Sequence, residues 1–156
     1  MSTAQHLAAI DLLCSREFPA EHGRPVDVVG AVGAVGGPGY FVVDLTGPDG
    51  HGDEGAWAYA VAEEQAYADR ESLAVLLTER IGRPDHIGLQ GMALRAFDTG
   101  HDTGGAIPEP WATVSSRHGD ALVWRTDNRW LVLAITRRDP ESPVHFLAAV
   151  TDVDPP

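Results

Sequence analysis

The sequence predicts an α+β fold, a mainly antiparallel and meander-like sheet of about six or seven strands with two helices, over about residues 3–17 and 70–81, packed on it. Two segments repeat apolar side chains at helical spacing, while several shorter ones are rich in Val, Leu, aromatic and Gly residues and are separated by turn chemistry. Their order is helix, three strands, helix, one strand, loop, three strands, which segregates helices from strands rather than alternating them as parallel βαβ units do. A length of 156 residues suits one domain, 1–156, with enough apolar content (44%) for a core without disulfides or a structural metal.

The first helix is signalled by Ser2 followed by Gln5, a capping-box pattern, and by a stripe of Leu7, Ile10, Cys14 and Phe18 that Pro19 ends. Cys14 on that stripe reads as a small buried hydrophobe rather than a reactive thiol. Strands are expected from Val26 to Val35 and from Tyr40 to Leu45, joined by the turn at Gly36-Gly37-Pro38-Gly39. These glycines lack the G-x-G-x-x-G spacing and lead into a strand, so a phosphate-binding loop is not expected.

After a polar turn from Gly47 to Gly55, Trp57, Tyr59 and Val61 alternate with alanines and predict a third strand over 56–62. Asp69 is placed as the N-cap of the second helix, whose Leu73, Leu76, Leu77 and Ile81 line one face before Gly82 and Pro84 stop it. Residues 86–97 read as a strand and 98–110 as a long Gly/Pro-rich loop. The best hairpin signal lies in Ala121 to Ile135, where a two-residue turn at Asp127-Asn128 sets Trp124 opposite Leu131 and Arg125 opposite Trp130. Leu122, Trp124, Leu131 and Leu133 then share one face and Val123, Trp130 and Val132 the other, so both faces are apolar and the strands belong inside the sheet. Pro143 to Val150 completes the meander, and residues 152–156 are expected to fray.

Composition removes several functions. The formal net charge is -12, and all eleven basic residues are Arg, which excludes any lysine-dependent chemistry. A lone cysteine excludes an internal disulfide and a C-x-x-C pair. The acidic balance argues against nucleic acid and anionic membranes as partners, and the absence of a signal-like start or a long apolar run predicts a cytoplasmic protein. Charge is uneven. Between Pro25 and Asp69 there are eight acids and no Arg, whereas Arg117, Arg125, Arg129, Arg137 and Arg138 outnumber Asp120 and Asp127 between Ser115 and Arg138.

Candidate chemistry is sparse. Phe97-Asp98-Thr99-Gly100, echoed by Asp102-Thr103-Gly104, resembles the catalytic Asp-Thr-Gly of aspartic peptidases, a likeness of three or four residues that implies a pair of aspartates sharing one proton. In that family the two aspartates come from separate lobes or subunits, whereas these lie four residues apart in one loop, so ordinary turn formation is the favoured reading. Asp98, His101 and Asp102 form the alternative acid-base or ligand set of a small hydrolase or metal-dependent enzyme, and Asp49, His51 and Asp53 an alternative metal-ligand set that lacks an established motif spacing. His6, His22, His86, His118 and His145 are scattered, expected to be solvated or hydrogen bonded.

The expectation that combines these features is a protein-binding or regulatory module without catalysis or cofactor, its partner another protein. Trp111, in the long loop, and the acidic pair Asp53 and Glu54 are the candidate binding residues. A small-ligand site between helix and sheet is a further alternative.

Overall fold

Strands apolar on both faces need cover on both sides. The structure is a computed structural model that describes residues 3–28, 33–46, 56–94, 108–126, 128–139 and 141–155. In chain order its elements are α1 (Thr3–Ser15), β1 (Arg24–Pro25), β2 (Gly33–Gly37), β3 (Tyr40–Asp44), α2 (Ala56–Arg80), β4 (Asp85–Gly88), a helical segment at 89–94 taken as α3, α4 (Trp111–Ser115), β5 (His118–Arg125), β6 (Trp130–Arg137) and β7 (His145–Thr151). The seven strands form one antiparallel sheet in the order β1-β2-β3-β7-β6-β5-β4. It is thus an α+β fold whose two meanders meet where β3 pairs with β7.

One face of the sheet packs Phe41, Val43, Trp124, Leu131, Leu133, Ile135 and Phe146 against Ile10 and Leu13 of α1 and Leu73 and Leu77 of α2. The opposite face packs Ala121, Val123, Val132, Ala134 and Ala149 against Leu89 and Met92 of α3 and Trp111 and Val114 of α4. The β5–β6 register is the expected one, with Trp124 opposite Leu131 and Arg125 opposite Trp130. Thr126 closes the hairpin, its amide and hydroxyl both donating to the Arg129 carbonyl. Arg129 in turn donates to the Leu13 and Arg16 carbonyls, capping the end of α1, and lies over the Phe18 ring.

Three expectations are corrected. The strand predicted over 56–62 and the helix predicted over 70–81 are one 25-residue helix, α2. Alanine is the strongest helix former, and Ala56, Ala58, Ala60, Ala62, Ala66 and Ala68 with Glu63, Glu64 and Gln65 extend the helix upstream; the apparent alternation reflected small residues that fit either period. Asp69 is therefore interior, not a cap, and accepts a bond from Gln65 one turn earlier. Of the strand predicted over 86–97, residues 86–88 are extended within β4, residues 89–94 turn into α3 and 95–97 lie outside the described residues, so among the described residues there are four helices rather than two. Asp152, Val153 and Asp154 hydrogen bond to the rest of the fold. The Asp152 amide donates to the Gly39 carbonyl, Val153 bridges Thr151 and Trp111, and Asp154 accepts from the Trp130 indole.

The turn of the β2–β3 hairpin is Pro38-Gly39, where Gly39 takes a φ of 82°. No described helix is long and apolar enough to cross a membrane.

Candidate functional site

Asp49, His51, Asp53 and Glu54, and likewise Asp98, His101 and Asp102, lie outside the described residues. Trp111 is described, and it is not a surface anchor. It opens α4, is fully buried against the sheet, and donates its indole N–H to the Val153 carbonyl at 2.8 Å. The bulk of an indole is most stabilising when removed from water, and the far face of the sheet offered the cover. Cys14 is half-buried, and burial pushes its thiol pKa up, disfavouring the thiolate.

The charged groups that sequence spacing left scattered form two clusters on opposite faces of the sheet. On the α2 face, Arg70 points from the helix to Asp120 of β5, Nη1 3.1 Å from Oδ1 and Nη2 3.4 Å from Oδ2, and His86 of β4 hydrogen bonds the same carboxylate. Burial pushes the Asp120 carboxyl up, but the bonds and charges of Arg70 and His86 outweigh it and hold it below the usual carboxylate range. Next to it, Glu63 pairs with Arg137 at 2.7 Å.

On the α4 face, Asp44 at the end of β3 accepts from the Thr46 amide and hydroxyl and from His145 Nδ1 at 3.0 Å. Burial opposes ionisation here too, and the hydrogen bonds from His145 and Thr46 again leave the carboxyl lowered. Thr46 also accepts the Phe146 amide, so this cluster fastens the end of β3 to β7. A concave space of about 700 Å³ opens beside it, between β2–β3 and α4, lined by His22, Tyr40, Asp44, Glu109, Thr113 and Arg117 among others. Both His–Asp pairs join residues far apart in the chain, 101 and 34 positions, and no local motif could announce them.

His6 is the outlier. It is fully buried on the inner face of α1, edge-on to Phe146, and among the described residues neither ring nitrogen makes a well-formed hydrogen bond. Burial pushes its pKa below the usual imidazole value against the weaker pull of Asp69, so it is carried as a neutral, apolar-packed ring. Among the described residues no group of three or more His, Cys, Asp or Glu side chains could hold a metal ion.

The largest exposed side chain in α2 lies at its start. Trp57 is 79% exposed, and Val61 (48%) and Val75 (51%) follow on the same face. With Ala66, Arg70, Leu73, Ala74 and Leu77 turned to the core, the opposite stripe of this helix reads Trp57, Val61, Glu64, Ala68, Glu71, Val75 and Glu79, all exposed. Sequence reasoning missed it because it paired Trp57 and Val61 as strand neighbours; a helical wheel drawn across residues 56–80 would have found it.

Compared with known proteins, the chain matches no family, no curated protein and no solved structure.

Proposed function

We propose that this protein is a non-catalytic binding module that takes a basic, partly apolar protein partner on the outer face of α2. The observation that carries this is Trp57, an indole left in water at the start of a stripe that also exposes Val61 and Val75. Burying large apolar groups stabilises by about 25 cal/mol per Å², and an indole without cover is a typical interface anchor. The acids Glu64, Glu71 and Glu79 flank these apolar positions with no Arg among them, and Asp53 and Glu54 lie just upstream in sequence. Such a face complements a positively charged partner. A second copy is the wrong occupant, since it would set glutamate against glutamate between molecules that each carry -12.

Co-purification from the native source tests the proposal, comparing wild type with the triple variant Trp57→Ser, Val61→Ser, Val75→Ser. The expected result is a stoichiometric partner with a basic contact region that the variant loses while its circular dichroism stays unchanged. A partner kept by the folded variant, or self-association in place of a partner, overturns it.

A further inference from the structure

The space beside α4 has an apolar wall of Val35, Val42 and Leu147 and two side chains of opposite charge, Arg117 and Glu109. These two flank α4, one before its first turn and one after its last, and they make no ion pair with each other. Glu109 uses one oxygen, Oε2, to hold the Thr113 amide and hydroxyl, which leaves Oε1 for another donor. Arg117 is half-buried, and among the described residues its guanidinium has no hydrogen-bond or ion-pair partner. Asp44 is the carboxylate whose charge favours it, and its oxygens are already taken by Thr46 and His145. Burial and the neighbouring Arg138 both disfavour the charged guanidinium, a cost that a ligand carboxylate on Arg117 would offset.

We propose that this cavity binds a small zwitterion with an apolar body, a free amino acid or a dipeptide, its carboxylate on Arg117 and its ammonium on Glu109. A planar guanidinium matches a carboxylate through two parallel N–H···O bonds. A phosphate-bearing ligand fits worse, because its second negative charge would face Asp44 and Glu109. Val35, Val42 and Leu147 select an apolar side chain, and a cavity of about 700 Å³ accommodates either a large amino acid or a dipeptide.

Titration calorimetry on the whole protein tests this with L-leucine, L-phenylalanine and L-leucyl-L-leucine as probes. Each is matched by its N-acetyl form, which lacks the ammonium, and its C-terminal amide, which lacks the carboxylate. One-to-one binding is expected for at least one probe, weakened about ten-fold or more by either blocking group. Arg117→Gln should abolish the preference for carboxylate over amide, and Glu109→Gln the preference for ammonium over acetyl. Where a variant fails to fold, the blocked analogues on wild type decide. Absence of binding by all three probes, blocked forms that bind as well as the parents, or folded variants that keep both preferences would overturn the assignment.

Discussion

Replacing Asp120 by asparagine should destabilise the protein by about 2–3 kcal/mol at pH 7. Arg70 is only 9% exposed, and its guanidinium meets both oxygens of Asp120. Removing one member of a buried pair costs about 3–5 kcal/mol because the other is left charged and unpaired. The cost here falls to the bottom of that range and below, since the Asp120 side chain is 26% exposed and Arg70 keeps a bond to the Asp120 backbone carbonyl at 3.2 Å. The melting temperature should fall by about 4–12 °C. The carboxyl is held below its usual value in the fold, so its contribution is present above about pH 4, the unfolded range, and is lost as pH falls through the lowered folded value. Urea unfolding followed by far-ultraviolet circular dichroism from pH 7 to pH 3 measures both effects. A gap between wild type and Asp120→Asn below about 0.5 kcal/mol at pH 7, the scatter of ordinary surface substitutions, or one that does not narrow toward pH 3, would refute the reasoning.

Other perturbations test other layers of the structure. His6 is neutral in the fold, so below about pH 6.5 the unfolded chain binds a proton that the folded chain does not, and stability should decline as pH drops toward the lowered folded value. His6→Leu should flatten that decline between pH 7.5 and 5.5 in the same urea assay; an unchanged slope would count against it. Gly119 adopts a φ of 139°, and a Cβ there would collide with the Ile135 carbonyl, so Gly119→Ala should cost about 2–3 kcal/mol by thermal melting. Trp111→Ala should cost about 3–5 kcal/mol through the cavity it opens, whereas Trp57→Ala should stay within about 0.5 kcal/mol, a contrast that calorimetry reads directly.

The parts of the fold that were legible in the sequence are those whose information is local. The β5–β6 register follows from one two-residue turn and period-two alternation, and Trp124 pairs with Leu131 accordingly. Apolar residues on both faces of those strands implied cover on both sides, although not its source. On the second face that cover is α4 and α3, whose described residues are too few to show a helical period. The N-terminal half of α2 was misread for a different reason. Alternating alanines satisfy period two and period 3.6 alike, and propensity summed over the window would have separated them. The charged clusters were illegible in principle, because Asp44 meets His145 and Arg70 meets Asp120 only after sheet pairing brings distant strands together. Trp111, offered as a binding residue, is fully buried, as the drive to remove an indole from water favours.

The function proposed stands on the outer face of α2, and carboxylate footprinting of the protein with and without its co-purified partner tests that face. Carbodiimide labelling read by peptide mass spectrometry should show Glu64, Glu71 and Glu79 protected in the complex while Asp85 and Glu141, exposed elsewhere, label equally in both. Protection of Asp85 or Glu141 with the three α2 glutamates unchanged would contradict the proposal.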